Sequence, residues 1–406
     1  MRVLLSHNNF DIAGGAEVFY HEVGRVLKAQ GHQVAYLSAM NNAIETEWRS
    51  YFPSVAAYST GGVLAKAINF PRMIYNRRAK ESMARLIEDF NPDIIHAFAI
   101  YVQLTPAILD AAREAGVPVV LSCNDYKHIC PNYKLYHHGR VCEDCKEGSF
   151  YRAIINNCCH GSIAYSVASA MEAYAHNWMN IYRKNVHTFL FASEFMAHRT
   201  EEFWGKESFR WKMLRNPFDI TKNSLRGPLG DYALYFGRLI DEKGVDVLLE
   251  AAARFRELPV VIIGEGPDRE SLESRAAELG LTNVSFLGPK WGDDLSGWLS
   301  CCRFVVVPSR WHENFPYVIF QAFAAGKPVI GSNRGGIPEL IDHGARGFVY
   351  EASSPEALAT AMRKLGNGKD DVVKDMGRRA RSYVEEEFND KRFYERLMGI
   401  YEGVLR

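Results

Sequence analysis

Apolar positions along the chain fall into short β-rich runs separated by stretches with helical spacing. Arg2–Ser6 reads as a buried strand, and a Gly-Gly turn follows it. A helix is then predicted from about Ala16 to Gln30, with Phe19, Val23, Val26 and Leu27 on one face and Gly31 where a C-terminal cap belongs. Val34–Ser38, Ile94–Phe98 and Val117–Ser122 are the next strand candidates. The alternation restarts with Ala233–Gly237, Val260–Gly264, Val284–Leu287, Phe304–Pro308 and Pro328–Gly331, with helical pattern between them. Strand-helix alternation of this kind predicts an α/β chain with parallel sheets covered on both faces. The turn-forming pair Asn216-Pro217 marks the expected boundary between an N-terminal domain, 1–215, and a C-terminal domain, 216–388. Lys391–Leu405 carries Phe393, Leu397, Ile400, Tyr401 and Val404 on one face. By itself that pattern suggests a terminal helix docked on its own domain.

Length and composition agree with two ordinary cores. The chain has 406 residues, 47% of them hydrophobic and 24% charged. Its 48 basic and 48 acidic side chains cancel, so no global field draws in nucleic acid, and phosphate binding must rest on local groups. The start, MRVLLSHNNF, is too short an apolar run for a secretory signal, and no apolar stretch approaches transmembrane length. The expected location is the cytoplasm.

Several loops carry candidate chemistry. Gly14-Gly15 lies between the first strand and first helix, where backbone can approach a phosphate or sugar closely. After the strand ending at Gly237, Arg238 and Lys243 project two cations that suit a diphosphate. Gly264-Glu265-Gly266 begins like a dinucleotide fingerprint, but Arg269 stands at the third glycine site, which argues against NAD. Pro308–Ala322 runs from a strand end through a polar loop with Glu313 into a helix opening around Pro316. Proline suits the first helical turn, and Gln321 lies one to two turns along. Asn314 belongs to the same donor-side segment.

These segments, with Ala325-Gly326-Lys327-Pro328-Val329-Ile330 and Gly335-Gly336-Ile337-Pro338-Glu339, resemble family 4 of the retaining glycosyltransferases over nearly the whole chain. The resemblance implies GT-B architecture: two facing, doubly wound, Rossmann-like domains with the active site in the cleft. It implies that Arg238 and Lys243 hold the donor diphosphate and that Glu313 bonds donor-sugar hydroxyls. Backbone N–H groups from Phe315, Pro316, Tyr317 and Val318 onward would touch sugar or phosphate, although proline itself has none to give. Gly264, Leu287 and Gly288 would line the base pocket. The terminal helix, about 389–406, would cross back onto the N-terminal domain, against the simpler reading of its pattern. The family's usual second glutamate is Gln321 here, which removes charge assistance of roughly 1–2 kcal/mol. On the acceptor side the resemblance places His96, Asn124 and Asp125. Asn124 stands where relatives often have histidine and cannot titrate, leaving Asp125 as the better acceptor contact.

The implied reaction is sugar transfer from a nucleotide-diphosphate donor to a glycan, lipid-linked or small-molecule acceptor, with retention and without a catalytic metal. The rival readings are an inactive sugar-nucleotide-binding subunit and a nucleotide-sugar epimerase. A separate constellation, Cys130, Cys142, Cys145 and Cys158 or Cys159, has spacing that suits structural zinc or, with the same ligands, an iron–sulfur cluster. Val63–Leu86 mixes apolar and basic residues and could lie peripherally on the inner face of an anionic membrane.

Overall fold

The computed structural model describes residues 1–12, 14–40, 44–54, 70–220 and 227–406. It separates into two compact units. One comprises Met1–Leu135, Glu143–Pro217 and Phe393–Arg406; the other comprises Tyr136–Cys142 and Phe218–Arg392.

In chain order the strands are β1 (Arg2–Asn9), β2 (Gln33–Met40), β3 (Ile94–Ala97) and β4 (Val119–Cys123). A small hairpin of β5 (Tyr136–His137) and β6 (Arg140–Val141) follows, then β7 (Thr188–Phe191) and β8 (Trp211–Met213). The hairpin groups with the second unit. The first unit's sheet has the order β2-β1-β3-β4-β7-β8, with every pair parallel. Strand order reverses between β1 and β3. There Asn8 N–H donates to Ala99 O at 3.0 Å, and Asn8 Oδ1 accepts from Leu104 N–H at 3.0 Å.

The second unit holds β9 (Ala233–Phe236), β10 (Val260–Ile263), β11 (Val284–Phe286), β12 (Phe304–Val307), β13 (Val329–Ser332) and β14 (Gly347–Tyr350). Their order is β11-β10-β9-β12-β13-β14, again all parallel. This is the doubly wound order whose reversal, between β9 and β12, places ligands outside the strands' carboxyl ends. The short runs ALYF, VVII and FVVV are buried on both faces, as a covered parallel sheet requires. Apolar cores lie on both sides: Leu248, Phe255 and Leu358 on one, Ile319, Phe320 and Ile337 on the other.

The terminal helix Asp390–Leu405 begins in the second unit's part of the chain and completes the first unit's core. Phe393 meets Phe19 edge-on at 6.2 Å, and the buried Tyr401 hydroxyl lies 2.8 Å from His96 Nδ1. Its apolar face is where periodicity put it, but its partner is the first unit and not its own sequence neighbours.

Of the segment Val63–Leu86, residues 63–69 lie outside the described residues. The remainder enters the helix Arg77–Phe90, which buries Ala79, Met83 and Leu86 against the first unit. Among the described residues no helix is long and apolar enough to cross a membrane.

Candidate active site

In the second unit, four loops gather at the strands' carboxyl ends. Glycine backbones bring them into contact. Gly264, at φ +156°, would put a Cβ 1.8 Å from Gly237 O, so only glycine lets the loops after β10 and β9 approach this closely. Gly237 N–H donates to Ile263 O at 3.0 Å, Leu239 N–H to Glu265 O at 2.9 Å, and Gly264 N–H to Gly288 O at 3.0 Å. Gly237, Gly264, Leu287 and Gly288 are thereby one continuous surface. Arg269 does not intrude on it as a free cation: it pairs with Glu265 at 2.7 Å and Glu273 at 2.9 Å.

Across the strand reversal, the loops after β9 and β12 meet. Lys243 Nζ lies 2.5 Å from Glu313 Oε1, and Ser309 Oγ donates to the same oxygen at 2.8 Å. The indole of Trp311 is 5.5 Å from the Lys243 ammonium. Burial alone would raise the Glu313 carboxyl, but Lys243 and the hydrogen bonds from Lys243 and Ser309 outweigh it, and the group falls below the usual carboxylate range. Glu313 is a buried, ionised acceptor.

Its backbone is held as firmly as its side chain. Gly336 N–H donates to Glu313 O at 2.7 Å, and Gly335 N–H to His312 Nδ1 at 3.2 Å. Gly335 has φ +59°, and a Cβ there would lie 2.0 Å from Glu313 O. Beside the pair, Arg310 bonds Asp241 at 2.8 Å and also Asp246, while Tyr136 from the hairpin donates to Asp241 at 2.7 Å. Arg238 is exposed on the loop between β9 and Lys243, and its carbonyl accepts from the Tyr235 hydroxyl at 2.7 Å. One neutralised cation and one exposed cation thus stand within a single six-residue loop.

The helix after this loop spans Tyr317–Ala324. Pro316 precedes it in an extended conformation as its N-cap and does not occupy the first turn expected from sequence. The Phe315 ring stacks on Phe320 at 4.1 Å and belongs to the core, so only its backbone remains for a ligand. Asn314, Tyr317, Val318 and Gln321 are half-buried on the loop and the helix's first turns.

The first-unit candidates are less uniform. Gly15 opens the helix Gly15–Ala29, with Gly14 as N-cap and no side chain capping it. Glu17 in its first turn accepts from Asn9 Nδ2 at 3.2 Å, a pairing that sequence reading did not single out. Asp125 Oδ1 accepts from the Tyr101 hydroxyl at 2.8 Å and from Lys127 N–H at 2.9 Å, while burial raises this carboxyl. Among the described residues Asn124 Nδ2 is buried without a hydrogen-bond partner. His96 does not fit the acceptor role: it is fully buried, and Tyr401 and Ser122 each lie 2.8 Å from one ring nitrogen. Burial pushes its pKa down to about 3. It is an internal tie.

Four of the cysteines lie near one another: the Cys158 thiol is raised by Cys159 and by burial, with Cys130 and Cys145 close enough to add to the rise. Among the described residues no group of three or more His, Cys, Asp or Glu is placed to hold a metal. Cys142 groups with the second unit and Cys130, Cys145 and Cys158 with the first. Cys130 Sγ donates to Asn132 Oδ1 at 3.0 Å, and the Cys158 and Cys159 sulfurs are 3.9 Å apart.

Known proteins resemble this chain in sequence and in fold. Residues 13–222, just over half of the chain, match the family described as Glycosyltransferase Family 4, and residues 221–383 match Glycosyl transferases group 1. The amylovoran biosynthesis glycosyltransferase AmsK of Erwinia amylovora is 31% identical over 45% of this chain and 46% of its own. The D-inositol 3-phosphate glycosyltransferase of Corynebacterium jeikeium is 34% identical over 41% of this chain and 42% of its own. These alignments span less than half the length of the curated relatives. The Anabaena HepE structure in complex with UDP superposes over 99% of this chain and 100% of its own, with TM-score 0.69 and 17% identity. Sucrose-phosphate synthase from Thermosynechococcus elongatus gives TM-score 0.70 at 16% identity over 99% and 98%. The fold is therefore GT-B, and the chain belongs to glycosyltransferase family 4.

Proposed function

We propose that the chain is a retaining glycosyltransferase that takes a hexosyl or related sugar from a nucleotide-diphosphate donor. The observation that carries this reading is the meeting of Lys243 and Glu313 at the strand reversal of the second sheet. A diphosphate would take Lys243 and Arg238, offsetting the charge that develops on the leaving group. Glu313 would then turn its oxygens to donor-sugar hydroxyls, with Ser309 and Gly336 fixing its position. Gly264, Leu287 and Gly288 would face the base, Gln321 the ribose, and backbone N–H groups near Tyr317 and Val318 the sugar or phosphate.

In the proposed reaction the donor's own leaving phosphate oxygen accepts the acceptor hydroxyl proton on the face where the new bond forms. The anomeric carbon passes through an oxocarbenium-like state and keeps its configuration. Two side-chain cations supply the charge compensation, so catalysis is proposed to be metal-independent. Asp125 would contact the acceptor. The acceptor class is a glycan, a lipid-linked saccharide or a small polyol, consistent with relatives named for amylovoran biosynthesis and for D-inositol 3-phosphate.

A thermal-shift screen against UDP-, GDP-, dTDP- and ADP-sugars tests the reading, since ligand binding to the folded state raises its melting temperature. UDP-glucose is the first donor to try, because the HepE structures are titled with UDP and with UDP-glucose. Proton NMR then follows turnover in the presence of chelator. A released or transferred sugar with the donor's anomeric configuration supports the proposal; an epimerised nucleotide sugar, or loss of turnover with chelator, contradicts it.

A further inference from the structure

The chain enters the hairpin of β5 and β6 through strained backbone. Tyr133, Leu135 and His138 have positive φ, at +58°, +48° and +45°, without being glycine. Such conformations persist where the surroundings over-determine them, and they concentrate at functional segments. His138 and Gly139, at φ +45° and +75°, make the two-residue turn of the hairpin, which pairs Tyr136 with Val141 and His137 with Arg140. The strained segment delivers one buried phenol: Tyr136 is 4% exposed.

That phenol meets the turn that carries Lys243. Asp241–Lys243 is a single tight turn of helix, closed by Gly244 N–H donating to Asp241 O at 3.1 Å. Arg310 N–H donates to Glu242 O at 2.9 Å and ties the turn to the loop that carries Glu313. Asp241, at the start of the turn, is held on both carboxylate oxygens. Oδ1 accepts from Arg310 at 2.8 Å, and Oδ2 accepts from the Tyr136 hydroxyl at 2.7 Å. Burial and the Asp241 carboxylate raise the phenol, so it remains a donor at any working pH.

We infer that Tyr136 is a positioning residue: through Asp241 it sets where the Asp241–Lys243 turn presents the Lys243 ammonium. The inference rests on the reading of Lys243 as a diphosphate ligand. Lys243 lies 2.5 Å from Glu313 and has to leave it for a diphosphate, so the turn must hold its backbone still while the side chain swings. A cation displaced by part of an ångström loses more of its effect on a developing charge than on a resting ligand. The cost therefore falls on turnover and not on binding. A hydroxyl that only stabilised the hairpin would do the reverse, lowering the melting temperature with turnover intact.

Tyr136→Phe in the full chain keeps the ring and removes only the hydroxyl. The substrate is whichever of UDP-, GDP-, dTDP- and ADP-glucose gives the largest thermal shift. Turnover is expected to fall about tenfold, with KM within about twofold and the melting temperature near wild type. Coupling is the decisive readout. The tenfold loss should persist in an Arg238→Ala background and shrink below about twofold in Lys243→Ala, where no ammonium is left to position. Tyr133→Phe, at an exposed tyrosine three residues earlier, should change neither turnover nor KM. Equal losses in both backgrounds, or Tyr136→Phe turning over like wild type, would overturn the inference and leave Lys243 its role. Lys243→Ala as active as wild type, or turnover of none of the four sugars, would instead remove the donor reading, and this inference with it.

Discussion

At the scale of single residues, Glu313 and Lys243 show how much chemistry a sequence can specify before its geometry is known. A cation after a strand-end glycine and a carboxylate after a later strand stood out as candidates, the cation for phosphate and the carboxylate for sugar. Their direct contact did not, because 70 residues separate them and only the strand order β9-β12 makes them neighbours. Ser309 was missed for the same reason: a serine four residues before a glutamate carries no signal until both lie on one turn. Removing either cation should cost transition-state stabilisation. Arg238→Ala or Lys243→Ala is expected to lower turnover by roughly 10²-fold or more. Lys243→Ala has an added effect, since it leaves Glu313 buried without its cation and raises that carboxyl. Steady-state turnover near wild type in both variants would remove the diphosphate role. Gln321→Glu should be tolerated and bind donor at least as well, because a carboxylate is a stronger acceptor for ribose hydroxyls. Collapse of donor affinity on calorimetry would show that the amide N–H is needed.

At the scale of elements, β9 to β13 of the second unit lie within a residue or two of the apolar runs that predict them. The reason is physical: strands buried on both faces tolerate little but apolar residues. β7, β8 and β14 were harder, since TFLF, WKM and GFVY are short runs that resemble interior helix as much as strand. The glycines were read as turns, and their further role in close loop approach appears only in three dimensions. Gly335→Ala tests that role. A Cβ there would collide with the Glu313 carbonyl, so transfer should fall as steeply as in Glu313 variants, with a lowered melting temperature. Unchanged activity would mean that the Glu313 backbone has room to move.

The His96 tie makes an element-scale prediction about acid. Burial lowers this histidine to about 3, against an unfolded value near 6.5. Between these values the unfolded chain binds the extra proton, so stability rises with pH and is lost on acidification below about 6.5. The slope is about 1.4 kcal/mol per pH unit for each such histidine. His128, also held near 3 by burial, adds a second. Urea unfolding from pH 6 to 5 should show this slope, and His96→Gln should reduce it by about one proton. An identical slope in wild type and variant would show that His96 is not the buried neutral group described.

At the scale of the whole molecule, the sequence displayed two α/β repeats, and the two compact units carry one parallel sheet each. What it concealed were the places where chain order and spatial unit part company. The terminal helix has an ordinary amphipathic pattern, and nothing in Phe393, Leu397 or Tyr401 names the surface they cover. The hairpin Tyr136–Val141 likewise groups with the second unit and not with its sequence neighbours. Tyr401→Ala should therefore destabilise the first unit by about 3–5 kcal/mol, as large aromatic truncations in a core do, while leaving nucleotide binding in the second unit intact.

The central claim is that Lys243 and Glu313 divide one donor between them, phosphate to the lysine and sugar to the glutamate. Titration calorimetry of a nucleoside diphosphate and of its matching nucleotide sugar, on wild type and Glu313→Gln, tests this most directly. The account predicts that Glu313→Gln binds the bare diphosphate at least as tightly as wild type, since Lys243 is no longer neutralised, yet loses most of the extra affinity for the sugar and nearly all transfer. Loss of diphosphate binding in Glu313→Gln, with sugar discrimination unchanged, would contradict it.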